Sequence, residues 1–159
     1  MGNNNVPLLY GHYNLSIDAK NRLLVPAEVR RNMVPERDGA AFFVVVGDNG
    51  KLWLYPEKTY EAMGQQQPPE LAPADERLEF DHLHYALAER LDWDQQGRIL
   101  LPGEELKETE TGKDIVLFGS RDHLEIWNKT EWEEHRASLR ARQKEISLRG
   151  KPNRTNQGT

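Results

Sequence analysis

The sequence predicts a mainly β fold with flanking helices, assembled from two copies of one small unit. Three observations predict it. Ile17-Asp18-Ala19-Lys20-Asn21-Arg22-Leu23-Leu24-Val25-Pro26 aligns with Trp93-Asp94-Gln95-Gln96-Gly97-Arg98-Ile99-Leu100-Leu101-Pro102 at an offset of 76 residues. Phe43-Val44-Val45-Val46-Gly47 aligns with Ile115-Val116-Leu117-Phe118-Gly119 at an offset of 72, as do Leu52-Trp53-Leu54-Tyr55 with Leu124-Glu125-Ile126-Trp127, and Tyr60 with Trp132. Within the copies, apolar residues either alternate with polar ones or form short continuous runs, the two patterns of strands. The fall from 76 to 72 places four extra residues in the first copy, between Val29 and Ala41, and surface loops accept such insertions.

Each element follows from its residues. Tyr13, Leu15 and Ile17 alternate with His12, Asn14 and Ser16, the period of a half-buried strand. Asp18 to Asn21 makes a hairpin turn. Asn21 and Gly97 share one repeat position and both tolerate the positive φ that a bulged three- to five-residue loop requires. Pro26 and Pro102 close the second strand and suit the first position of a helical turn. Phe42 to Val46 and Ile115 to Phe118 are continuous apolar runs, as in strands buried on both faces. A first unit with its closing helix therefore covers 8–64. Gly64-Gln-Gln-Gln-Pro-Pro-Glu-Leu-Ala-Pro73 has linker composition, giving a linker over 65–73.

Ala74 to Leu91 reads as a connecting helix, with Phe80, Leu83, Leu87 and Leu91 near one face. The second unit covers 92–134. A C-terminal helix over 130–150 opens with a capping box, Thr130-x-x-Glu133, and ends at Gly150 and Pro152. Its apolar stripe of Trp132, Leu139 and Ile146 is narrow and suits one partner surface, such as a second subunit. Residues 151–159 form a polar tail.

Composition narrows the function. The 159 residues contain no cysteine, which excludes disulfides, thiolate metal sites and thiol catalysis. No apolar run approaches the ~20 residues that span a bilayer. Met1-Gly2-Asn3-Asn4-Asn5 has neither the basic residue nor the apolar stretch of a signal peptide, and Val6 stands where a myristoylation signal has Ser or Thr. A cytoplasmic protein with no membrane contact is the expectation. The net charge is -5, but residues 135–159 carry seven bases against one acid, a segment of +6 on a body of -11. That basic segment suits either DNA phosphates or the acidic surface of a neighbouring subunit.

Asp-x-x-x-Arg followed by a short apolar strand and Pro, twice in one chain, resembles the MraZ family. So do Gly11-His12-Tyr13-Asn14-Leu15-Ser16-Ile17-Asp18 with Lys20 and Arg22, the segment Leu52-Trp53-Leu54-Tyr55-Pro56, the stretch Gln96-Gly97-Arg98-Ile99-Leu100-Leu101-Pro102, and Glu125-Ile126-Trp127 with the helix from Trp132. The likeness runs from about Gly11 to about His135. It implies two SpoVT–AbrB modules packed as a pseudo-two-fold pair, a duplicated swapped-hairpin (double-split) β-barrel. It also implies ring-shaped homo-oligomers and binding to tandem promoter repeats of a division and cell-wall gene cluster, hence a cytoplasmic, nucleoid-associated transcriptional regulator. The family usually carries a base where Gln95 stands, and less acid after Pro102.

The candidate DNA-binding residues are Lys20, Arg22, Arg98, Arg30 and Arg31, with Asp18, Asp94, Asn21 and Gly97 shaping the turns. A rigid two-stranded ribbon fits the major groove, where Arg donates bidentately to guanine O6 and N7. Alternatively, Asp18–Arg22 and Asp94–Arg98 are simply ion pairs that pin each turn; the two roles are compatible. Arg30 and Arg31 extend the first copy's basic surface, whereas their counterparts are Leu106 and Lys107 in acidic surroundings. The first copy is therefore expected to bind DNA more strongly. Trp53, Trp127 and Trp132 read as packing residues. No Ser/His/Asp arrangement, phosphate-binding glycine loop or HExxH motif is present, so neither an enzyme nor a cofactor or metal site is expected. The main alternative is an AbrB-fold protein-interaction or antitoxin-like module, or a ring scaffold with weak DNA binding.

Overall fold

The computed structural model describes residues 6–66, 68–71 and 73–151. Among the described residues, eight strands alternate with short helices. They are β1 (His12–Ser16), β2 (Arg22–Leu24), β3 (Ala41–Val46), β4 (Leu52–Pro56), β5 (Glu89–Asp92), β6 (Arg98–Leu100), β7 (Asp114–Gly119) and β8 (Leu124–Asn128). Six of them form one antiparallel sheet in the order β1-β7-β8-β4-β3-β5, while β2 and β6 pair separately as a ribbon.

This order makes the duplication visible in space. The first strand of each copy pairs with the third-strand equivalent of the other: β1 with β7, and β5 with β3. The local two-fold passes between β4 and β8 in the sheet and through the Leu23–Ile99 pair in the ribbon. The fold is thus mainly β with helices, and its two halves exchange strands. Of the swapped-hairpin (double-split) barrel that the resemblance implies, the strand exchange is present, but edge strands β1 and β5 do not pair with each other and the six-stranded sheet stays open. The ribbon is held instead by packing. Leu23, Val25, Ile99 and Leu101 are at most 1% exposed and meet Phe42, Leu54, Ile115 and Leu117 from the sheet in a single core. Each such side chain contributes roughly 1.5–3 kcal/mol when fully buried.

Helix α1 (Ala27–Asn32) follows β2 and α5 (Gly103–Glu108) follows β6, each entered from a proline in extended backbone just before the first helical position. The four-residue insertion is accounted for by α2 (Pro35–Asp38), which lies between α1 and β3. Its buried Asp38 carboxylate accepts hydrogen bonds from the Val34 amide (2.8 Å) and from Arg37 Nε and Nη2 (2.8 and 2.7 Å). Helix α3 (Glu57–Gln65) closes the first copy.

Two helix assignments are corrected. The connecting helix over 74–91 is shorter: α4 (Asp75–Asp81) continues as a π-helical turn over His82–Ala86, and Glu89–Asp92 is strand β5. Leu91 is buried opposite Phe42, while Phe80, Leu83 and Leu87 remain exposed. The free edge of β3 takes the segment because β-pairing satisfies its backbone groups and buries Leu91 at once. The C-terminal helix is two helices, α6 (Lys129–Ala141) and α7 (Gln143–Gly150), separated by Arg142 at φ -109°, ψ 17°. The residue preceding α6 is Asn128, whose side-chain amide donates to Glu131 Oε1 at 2.9 Å and whose Oδ1 accepts from the Gly112 amide at 2.7 Å. The expected capping box at Thr130 and Glu133 is not formed: α6 begins after Asn128, and no side chain caps its N-terminus. Neither α6 nor α7 contains a buried residue, and Trp132, Leu139 and Ile146 line a groove beside Arg136. Pro152 and the rest of the polar tail, and Met1–Asn5, lie outside the described residues.

Candidate nucleic-acid interface

The two Asp-x-x-x-Arg turns have the same hydrogen-bond pattern. In the first, Asp18 Oδ1 accepts from the amides of Lys20 (2.9 Å) and Arg22 (2.8 Å), and Oδ2 accepts from Arg22 Nε at 2.7 Å. In the second, Asp94 Oδ1 accepts from the amides of Gln96 (2.9 Å) and Arg98 (3.0 Å), and Oδ2 from Arg98 Nε at 2.9 Å. The turn backbones agree as well: Asn21 stands at φ 63° and Gly97 at φ 82°. The aspartate seals the turn because one carboxylate satisfies two amides that the tight bend leaves without backbone partners. The Arg22 and Arg98 amides are the main reason that both carboxyls sit below the usual carboxylate range, with the guanidiniums adding to the effect.

Each arginine is therefore both ion-paired and outward-facing, with about a third of its side chain exposed. Only Nε is used. Among the described residues, neither Nη1 nor Nη2 of either arginine has a protein hydrogen-bond partner. Lys20 is exposed at the tip of the first turn; its counterpart Gln96 is exposed but uncharged.

The ribbon joins the two turns. The Val25 amide donates to the Gly97 carbonyl (2.9 Å) and the Leu101 amide to the Asn21 carbonyl (2.8 Å), so each turn lies beside the far end of the other copy's strand. Arg30 follows the same crossing. Its Nε donates to the Val25 carbonyl at 3.1 Å, and its guanidinium lies against Gly97. Although Arg30 belongs to the first copy in sequence, it sits at the second turn. Its neighbour Arg31 is exposed on α1.

Lys113 has a comparable role at the first turn and was not a candidate from sequence. Its ammonium donates to the Asp18 carbonyl (3.1 Å) and Asn21 Oδ1 (3.3 Å). Each turn thus carries a base from the opposite copy. The first also borders a recess lined by Glu104, Glu110 and Lys107, which places acids close to it.

The aromatic residues pack. Trp53 lies flat over Gly47, where a β-carbon would fall 2.1 Å from its ring, and stacks on His123 at 4.1 Å between centroids. Trp132 stacks on Phe118 at 4.2 Å, and Trp127 meets Phe118 edge-on at 5.7 Å. Sequence reasoning also missed the buried Glu125, which stands opposite Trp53 in the sheet. It accepts from Asn49 Nδ2 (2.8 Å), Ser120 Oγ (2.9 Å) and Trp127 Nε1 (3.0 Å), and pairs with His123 Nε2 (3.1 Å). Burial acts to raise its pKa, but these four partners outweigh it and bring the carboxyl to about 2. Among the described residues no cluster of three His, Asp or Glu side chains is placed to hold a metal ion, and no helix is long and apolar enough to cross a membrane.

The chain is similar to known proteins over most of its length. The family described as "MraZ protein, putative antitoxin-like" matches residues 8–81 and again 85–156. A protein of Lachnoclostridium phytofermentans named transcriptional regulator MraZ is 35% identical over 126 residues, covering 79% of this chain and 85% of the relative. The proteins of the same name from Neisseria meningitidis serogroup C and Clostridium tetani are 35% and 30% identical over 125 and 129 residues, covering 77% and 80% of this chain and 82% and 87% of their own.

Proposed function

The chain belongs to the MraZ family, and from that membership we propose that it is a transcriptional regulator that binds double-stranded DNA through its two aspartate-anchored turns. The observation that carries this reading is the repeated geometry at Asp18–Arg22 and Asp94–Arg98. Each guanidinium is fixed through Nε, which leaves the Nη groups directed for bidentate donation, the mode in which arginine recognises guanine in the major groove. Arg22 and Arg98 make the base contacts. Lys20, Arg30 and Arg31 contact phosphate, and Asp18, Asp94, Asn21 and Gly97 hold the turns in shape.

One protomer offers few cations, and phosphate neutralisation sets affinity, with a slope of log K against log salt of about -0.9 per contact. Assembly into a ring of copies on tandem promoter repeats supplies the remainder, because linked weak sites gain ~10²–10⁴ in affinity when the geometry lets them engage together. The promoter in this reading is that of the division and cell-wall gene cluster, and the protein works in the cytoplasm on the nucleoid. A mobility-shift titration on the DNA upstream of its own gene, with one repeat and with several, tests this. Binding that weakens steeply with salt and strengthens with repeat number is expected. No shift at low ionic strength would instead favour capture of a partner protein.

A further inference from the structure

Between the two turns lies a surface that the arginines alone do not explain. Leu24 and Leu100 are 50% and 61% exposed, although their strand neighbours Leu23, Val25, Ile99 and Leu101 are at most 1% exposed. Strand alternation puts Arg22 and Leu24 on the outer face of β2, and Arg98 and Leu100 on the outer face of β6. The register sets Arg22 opposite Leu100 and Leu24 opposite Arg98. The outer face is therefore a four-cornered patch, with the arginines on one diagonal and the leucines on the other. A residue and its second neighbour in a strand are ~7 Å apart, close to two base-pair steps of ~3.4 Å each.

Two exposed leucines beside two guanidiniums with free Nη groups match one kind of surface well. Where guanine and thymine are neighbours, the floor of the major groove sets the guanine acceptors O6 and N7 beside the apolar C5-methyl of thymine. An acidic protein partner would satisfy the arginines and leave the leucines wet; an apolar one would bury the guanidiniums unpaired.

We propose that Leu24 and Leu100 are specificity-determining residues that read the C5-methyl groups of thymines next to the guanines taken by Arg22 and Arg98. This rests on the DNA-binding reading above. The ribbon face, and not the turn tips alone, then sets the sequence preference.

The test selects the tightest duplex from a random pool with the full chain, then rebuilds that duplex with deoxyuridine for each thymine in turn. Deoxyuridine differs only by the missing methyl and pairs identically. At one or two thymines the wild-type chain should bind about fourfold more weakly, the value of one buried methyl-sized group. Leu24→Ala with Leu100→Ala should bind the thymine and uracil duplexes equally. Both side chains are exposed, so these variants leave the core intact.

Equal binding of thymine and uracil duplexes by the wild type would overturn the inference while leaving DNA binding in place. Discrimination that survives in the double variant would also overturn it. So would a double variant whose assembly falls apart in light scattering with equal losses on both duplexes, because the leucines would then be a subunit interface. A wild-type chain that enriches no duplex at low ionic strength would defeat the DNA-binding reading itself.

Discussion

Arg30 of the first copy lies across Gly97 of the second so closely that a β-carbon on Gly97 would fall 2.5 Å from the guanidinium carbon. Asn21, at the equivalent place in the first turn, keeps a side chain at φ 63°, where its Oδ1 accepts from Lys113. Gly97→Asn, which installs the first copy's own residue, should therefore destabilise the fold by about 1 kcal/mol or more, because backbone and guanidinium both object. Asn21→Gly should cost only a few tenths. Urea unfolding of the two variants, and of each combined with Arg30→Ala, checks this. Coupling between positions 30 and 97 and its absence between 30 and 21 is the expected pattern.

Arg30→Leu copies what the second copy already has, since the counterpart Leu106 is buried and apolar. It should keep stability within about 1 kcal/mol and remove one phosphate contact. The slope of log K against log salt should fall by about 0.9. An unchanged slope would mean that Arg30 only covers the second turn.

Asp18→Asn and Asp94→Asn separate positioning from bulk charge. Each makes the protein more positive, so attraction alone would tighten DNA binding. Loss of the Nε–carboxylate pair frees the guanidinium to wander, and binding should weaken by about tenfold per turn, the lower end of what a well-placed bidentate contact is worth. Fluorescence anisotropy with one labelled duplex distinguishes the two signs.

The buried Glu125 makes stability depend on pH. Its carboxyl sits at about 2 in the fold against an ordinary 4.5. The stabilisation is complete above pH 4.5 and is lost as pH falls from there towards 2, roughly 3 kcal/mol in all. His123 has the opposite sign: burial favours its neutral form, but the bonds to Glu125 and Asp122 prevail and raise its pKa above 6.5. Its contribution is present below pH 6.5 and fades as pH rises through the folded value. Urea midpoints of the wild type should fall between pH 5 and pH 3, and those of Glu125→Gln should fall less.

Much of this arrangement is legible in the sequence because a duplication repeats its own physics. The pairing of Asn21 with Gly97 announced a positive φ, and the shift from 76 to 72 announced an insertion between Val29 and Ala41, though not that it would be the short helix at Pro35–Asp38 and not a loop. The same offset of 76 carries β1 onto residues 88–92, where β5 lies; the helical spacing of Phe80, Leu83 and Leu87 simply runs on in phase to Leu91 and hides the change. Contacts made by exchange were not legible. Arg30 and Lys113 each serve the other copy's turn, and Lys113 aligns at an offset of 72 with Ala41, which offers no signal. Closure of the sheet was equally out of reach, since alternation sets which face is buried and not whether β1 meets β5.

The most direct measurement is the affinity of Arg22→Ala with Arg98→Ala for the upstream DNA across a salt series, beside the wild type. The turns' grip on DNA predicts tight, salt-sensitive wild-type binding and a loss of at least a hundredfold in the double variant, from two contacts each worth about tenfold or more. Equal affinity of the two proteins at every salt concentration would contradict it.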